Sequence, residues 1–170
     1  MSLFRPIIYQ KNIQSINYQK LYDQGIRYLI VDLDNTLSKV LEKECSPETK
    51  AFVNNLSEKF TIIVASNNTR QRVRKYCQGL NVIGFAEALK PSKKVYRYFA
   101  KRLNYRKEEV AVIGDQIVTD IFMGNRLNVL TILVDPLSTK DLKITYFNRF
   151  IEKIIMKMIK FKKGVYYEKD

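Results

Sequence analysis

The stretch YLIVDLDNTL, residues 28–37, runs an apolar block straight into two carboxylates one residue apart, Asp32 and Asp34. Like charges that close disfavour one another unless a cation or a proton lies between them. Further polar groups follow later apolar runs: Ser66 and Asn67 after FTIIVA, Lys90 a few residues beyond VIGFA, and Asp115 with Asp120 at and after the end of VAVIG. Taken singly, each is also good turn or helix-cap chemistry, and DNT and SNNT in particular read that way. Their arrival in order, each at the end of an apolar run, points instead to one shared site.

The chain has no histidine. This excludes a Ser-His-Asp triad, a His general base and a His-ligated zinc. Any chemistry must run on carboxylates, amines, hydroxyls or thiols. Cys45 and Cys77 are the only thiols, far apart and without CxxC spacing, which argues against a disulfide framework and a Cys-only metal site.

The elements that must position these groups alternate along the chain. Short, β-branched, continuously apolar runs at 28–34, 60–66, 82–86, 110–115 and 131–135 read as strands buried on both faces of a parallel sheet. Between them lie amphipathic, charge-rich segments with helix-start signals at Ser46-Pro47, Asn68-Thr69 and Pro91-Ser92, and Gly79 closes the second of these helices. A helix over about 18–24, closed by Gly25, feeds the first strand, and a last helix spans about 145–160. In such a sheet the ligand crevice lies outside the carboxyl ends of the strands, where the polar groups named above collect.

With 170 residues and 46% hydrophobic content the chain is one domain able to bury a core. Its formal charge of +13 points to polyanionic partners, whether nucleic acid, an anionic membrane surface or phosphorylated substrates. No run of eighteen apolar residues occurs, and the first residues lack a signal-peptide pattern, so a cytoplasmic location is expected.

DLDNT, ASNN, LKP and GDQIVTD resemble, in order and separation, the four motifs of the haloacid-dehalogenase-like (HAD) phosphatases. The segments GIRYLIVDLDNTL, ALKPSKKVYRYFAKRLN and GDQIVTDIFMGNRLNVLTILVDPL extend the resemblance to the YqeG-type branch (subfamily IIIA), related to phosphatidylglycerophosphate phosphatases. After DNTL this chain has Ser38-Lys39-Val40-Leu41 where that branch tends to carry Pro and Trp. The resemblance implies a Rossmann-like α/β fold, with a parallel sheet of about five strands in the order 3-2-1-4-5 and helices on both faces. It implies Asp32 as nucleophile, forming an aspartyl-phosphate, and Asp34 as acid and base. Ser66 and Lys90 are then the phosphoryl-binding hydroxyl and ammonium. Mg²⁺, a hard cation suited to oxygen ligands, is held by Asp32, the backbone carbonyl of Asp34, and Asp115. Thr36 and Asp120 are expected in support, Asp120 bracing the metal shell or Lys90, and Asn67 and Arg126 are candidate substrate contacts.

The short separations between the motifs leave no room for a cap domain, so residues 1–170 are expected to form a single capless unit with an open site. Such a site suits a phosphate carried on something large. The leading expectation is dephosphorylation of phosphatidylglycerophosphate. A phosphatase for a nucleic-acid end or a sugar phosphate, and a non-catalytic basic RNA-binding protein, are the alternatives. In the last helix, Phe147, Ile151, Ile154, Ile155 and Met158 form an apolar face, and Arg149, Lys153, Lys157, Lys160, Lys162 and Lys163 lie outside it or just beyond. That arrangement suits peripheral contact with anionic membrane, or equally a helix covering the sheet.

Overall fold

The computed structural model of the chain describes residues 3–40, 42–138 and 143–168, with the backbone alone at 143–148. The strands are β1 (Ile8–Gln10), β2 (Tyr28–Val31), β3 (Thr61–Ala65), β4 (Ile83–Phe85), β5 (Val110–Gly114), β6 (Leu130–Val134) and β7 (Tyr167–Glu168). They form one sheet in the order β4-β3-β2-β5-β6-β1-β7, parallel throughout except where β7 pairs antiparallel with β1. The five strands legible as apolar runs take the expected order, and β1 and β7 extend the sheet beyond β6. These two are three and two residues long, too short to show a periodicity.

The helices are α1 (Tyr18–Asp23), α2 (Pro47–Leu56), α3 (Arg70–Tyr76), α4 (Lys94–Leu103), α5 (Phe122–Leu127) and α6 (Lys143–Met158). Their ends follow local chemistry. Ser46 Oγ accepts the Thr49 N–H with Pro47 at the first helical position, and Thr69, rather than Asn68, caps α3. Asn104 and Asn128 end α4 and α5 in the left-handed conformation that asparagine tolerates.

Alternate residues of the strands supply two apolar layers. Leu29, Val31, Ile62, Val64, Ala111 and Ile113 pack with Leu21, Val53, Leu56, Val73 and Tyr76 from α1, α2 and α3. On the opposite face Ile30, Ile63, Ala65, Val110 and Val112 pack with Val95 and Phe99 of α4 and Met123 of α5. A third cluster joins Tyr9, Ile117, Ile121 and Leu133 to Ile155 and Met156 of α6. The tail is tied down there as well: Tyr9 and Tyr166 both donate to the Asp135 carboxylate, at 2.5 and 2.7 Å.

Candidate active site

β2 ends at Val31, earlier than the apolar run suggests, although Asp32 N still donates to Ile113 O at 2.9 Å. Beyond it the chain folds into a tight turn in which the Leu33 carbonyl accepts the N–H groups of Leu37 and Ser38, both at 3.0 Å. Asn35 adopts a positive φ of 68° in that turn, and Ser138 Oγ holds its side chain at 2.9 Å. The turn sends the neighbouring carboxylates apart. Asp32 faces inward to the Lys90 ammonium, whereas Asp34 meets Arg72 Nη2 at 3.0 Å. Each of the two side chains thus has its own basic partner.

The inward group is compact. Asp32, Asp115 and Asp120 are all buried, and one carboxylate oxygen from each lies within 4.8 Å of the others. Lys90, delivered by the loop after β4, touches Asp32 and donates to Asp120 Oδ1 at 2.8 Å. Asp115 sits at the end of β5, and Asp120 on the π-helical turn Ile117–Ile121 that follows. The turn can pack this closely because Gly114 lacks a side chain: a Cβ there would lie 2.3 Å from Asp120 Cγ. Thr36 Oγ1 stands 3.5 Å from Asp32 Oδ2 and 3.4 Å from Asp115 Oδ1, between the two carboxylates.

Ser66 and its neighbours serve the outward carboxylate. Asp34 Oδ2 lies 3.4 Å from Ser66 Oγ and accepts from Asn68 Nδ2 at 3.2 Å. Asn67 clamps a loop: its Oδ1 accepts Lys90 N at 2.7 Å and its Nδ2 donates to Lys90 O at 3.1 Å, which fixes the backbone that presents the ammonium. Arg126 is exposed on α5, over the Phe122 ring and 3.4 Å from Pro91 O, so the structure places it on the outer side of the Lys90 loop rather than among the carboxylates.

Four residues of this site were not singled out for it from sequence. Asn68 carries a cap signal in the sequence. Arg72 is one of the many cations of α3, yet it shares a side of the helix with buried Val73 and Tyr76 and also donates to Ser38 Oγ at 2.9 Å. Its phase relative to those apolar positions was the available signal. Arg149, expected among the cations outside the apolar stripe of the last helix, instead turns inward onto the Asp115 carboxylate and donates to Glu152 at 3.0 Å. Glu152, buried, is the only acidic residue in KITYFNRFIEKIIMKM, an oddity that could have marked it.

Burial is the dominant electrostatic influence. It pushes the Asp32 carboxyl well above the usual range against the pull of Lys90, and Asp120 and Asp115 push the same way. Asp115 is pushed up to about 7, by burial first, with Arg149 opposing and Asp120 adding. Burial works against the charge of Lys90 too, but Asp120 and Asp32 outweigh it and hold the ammonium protonated. Four carboxylates, those of Asp32, Asp115, Asp120 and Glu152, face two cations, Lys90 and Arg149. This excess of negative charge in an all-oxygen cluster fits a hard divalent cation such as Mg²⁺.

The sequence model of the family described as mitochondrial PGP phosphatase matches residues 1–138. A protein of Bacillus subtilis (strain 168) named "Probable phosphatase YqeG" is 33% identical over 166 residues, covering 97% of this chain and 96% of that one. Among solved structures, a predicted HAD-like family hydrolase from Porphyromonas gingivalis superposes with a TM-score of 0.53 at 13% identity, over 75% of this chain and 98% of that one. A HAD family enzyme from Bacteroides thetaiotaomicron, in complex with magnesium and inorganic phosphate, gives 0.51 at 11% identity, over 72% and 100%. At those identities the likeness is one of fold.

Proposed function

The chain belongs to the PGP phosphatase family and is a HAD-type phosphatase of the YqeG kind, and from that premise we propose that it is a Mg²⁺-dependent phosphomonoesterase whose substrate is phosphatidylglycerophosphate. The observation that carries the chemistry is the buried trio of Asp32, Asp115 and Asp120 with Lys90 inserted between Asp32 and Asp120.

Asp32 attacks phosphorus, forming an aspartyl-phosphate as the bond to the leaving oxygen breaks, and Asp34 gives that oxygen its proton. A water then attacks the phosphoenzyme and passes its proton to Asp34, releasing inorganic phosphate. In support of this role, Asp34 lies at the rim with a side-chain exposure of 15% and is anchored by Arg72, Ser66 and Asn68. Lys90 and the Ser66 hydroxyl stabilise the charge on the transferring oxygens. Asp32, Asp115 and the backbone carbonyl of Asp34 would hold Mg²⁺, which would supply the positive charge that lets an anionic nucleophile approach an anionic phosphate. Thr36 and Asp120 support that set. Asn67 acts by holding the Lys90 loop, and Arg126 is a contact for the substrate beyond the reacting phosphate.

The lipid reading draws on α6. The expected apolar stripe divides: Ile155 packs on the Tyr9 cluster together with Met156, a residue outside the stripe, while Ile154 and Met158, with Phe150 beside them, are 49%, 76% and 63% exposed. Phe147 belongs to the segment whose side chains lie outside the described residues. The exposed three recur every fourth residue, with exposed Lys153 and Lys157 beside them and Lys160, Lys162 and Lys163 beyond. An apolar ridge bordered by lysines matches an anionic lipid surface. Among the described residues no helix is long and apolar enough to cross a membrane, so the contact is peripheral.

The test is phosphate release from phosphatidylglycerophosphate in vesicles, from end-phosphorylated oligonucleotides and from sugar phosphates, each with Mg²⁺. The lipid should be turned over with the highest kcat/KM. Preference for an oligonucleotide end would transfer the assignment to nucleic acid, for which the exposed Arg70, Arg74 and Lys94 around the β4 edge supply charge.

A further inference from the structure

Both oxygens of Asp115 have a defined direction. Oδ2 is paired with Arg149 Nη2, and Oδ1 lies toward Thr36 Oγ1 at 3.4 Å, the side on which Asp32 stands. The same guanidinium donates through Nη1 to the Asp115 backbone carbonyl at 2.9 Å, so it grips the residue at two points. Glu152 completes the arrangement: one of its oxygens accepts from Arg149 Nη1 at 3.0 Å, and the other accepts the Ile117 N–H, which opens the turn carrying Asp120. Arg149 and Glu152 both belong to α6, beyond the residues the family model matches.

We propose that Arg149, seated by Glu152, is a positioning residue of the metal site: it fixes the Asp115 carboxylate with Oδ1 presented to the cation. The inference rests on the reading of Asp115 as a metal ligand. The competing account makes Arg149 a resident cation that Mg²⁺ must overcome. Geometry decides between them. Arg149 takes Oδ2 and the backbone carbonyl of Asp115, leaves Oδ1 on the Asp32 side, and shares its charge with Glu152, which is the outer-shell role that a partner of a ligating carboxylate commonly plays. Arg149 suits this role because its planar fork reaches the Asp115 carbonyl and carboxylate through two nitrogens held in fixed geometry, whereas an ammonium is a single rotatable point donor.

The test uses the full chain and Mg²⁺ itself, with the dissociation constant read by calorimetry in the absence of substrate. Phosphate release from p-nitrophenyl phosphate is followed against Mg²⁺ concentration in parallel. Arg149→Met, which keeps an apolar stem, should weaken Mg²⁺ binding about 10- to 100-fold and raise the half-saturating Mg²⁺ by a similar factor. Most of kcat should return at saturating metal. Arg149→Lys should fall between parent and Arg149→Met, and it keeps the test available if the methionine variant does not fold. A lower melting temperature in metal-free buffer with an unchanged Mg²⁺ constant would mean that Arg149 only supports the fold, and tighter Mg²⁺ binding would mean that it competes with the metal; either result overturns the proposal. Asp115→Asn separates the two levels. If it abolishes Mg²⁺ binding while Arg149→Met leaves the constant unchanged, only the role of Arg149 fails. If it leaves Mg²⁺ binding intact, the assignment of Asp115 fails, and the inference with it.

Discussion

The Lys90 ammonium reaches Asp120 Oδ1 at 2.8 Å across thirty residues of chain, and both side chains are almost wholly withdrawn from solvent. Burying an ammonium is costly unless charge and hydrogen bonds compensate, so Asp120 is the residue that lets Lys90 stand charged beside Asp32. Gly114 makes room for it. Gly114→Ala should therefore displace Asp120, destabilise the fold by about 1–3 kcal/mol and lower kcat. Denaturant unfolding and phosphate-release kinetics on the same preparation check both effects. A variant with parental kcat would detach Asp120 from catalysis.

Asp32→Asn is nearly isosteric and removes the proposed nucleophile. It should abolish phosphate release while circular dichroism and melting show an intact fold. Asp34→Asn should slow release severely and allow a phosphoenzyme to accumulate, visible as retained label after acid quench, since the acid-base role proposed for Asp34 serves both half-reactions. Substantial turnover by Asp32→Asn would refute the aspartyl-phosphate route.

A strong chelator should eliminate activity, and Mg²⁺ should restore it. Zn²⁺ should be a poor substitute, because the proposed ligands are all oxygens and the chain has no histidine. An enzyme that prefers zinc would contradict the ligand set.

Replacing Lys157, Lys160, Lys162 and Lys163 with Glu should release the protein from phosphatidylglycerol vesicles in a sedimentation assay and reduce lipid turnover, with hydrolysis of p-nitrophenyl phosphate retained. Binding by the parent protein should weaken as salt rises. Phe150→Asp, on the exposed ridge, should act in the same direction without altering the charged flank. Equal lipid turnover by the charge-reversed variant would reduce α6 to a structural helix.

Cys77 is pushed up to about 11, chiefly by burial, with Cys45 adding and Arg72 opposing. The unfolded chain, with an ordinary thiol, loses this proton first as pH rises. The stability this group contributes is thus present below about pH 9 and lost as pH rises through about 11. Alkylation by iodoacetamide at pH 8 should be slow for Cys77 in the native protein and fast after denaturation, read by peptide mass. Rapid native labelling at that position would contradict the burial.

Much of this protein was legible in the chain itself, because its determinants are local. Continuous β-branched runs identify the five strands from β4 to β6 in sheet order, cap residues such as Ser46 and Thr69 mark helix starts, and the placement of Asp32, Ser66, Lys90 and Asp115 at or after strand ends is a matter of sequence distance. What tertiary structure decided is where each side chain points once those ends converge. Asp32 and Asp34 are separated by one residue, yet the turn at Asn35 gives one to Lys90 and the other to Arg72. The inward direction of Arg149 depends on the seating of α6 against the Tyr9 cluster, which in turn depends on β1, a strand of three residues. Periodicity reports which face of a helix is apolar but not which of two apolar faces meets the core, since that is settled by contacts between residues more than a hundred positions apart. For the same reason a lone acidic residue in a basic helix, Glu152, gained its meaning only when the fold laid it beside Arg149 and the backbone of Ile117.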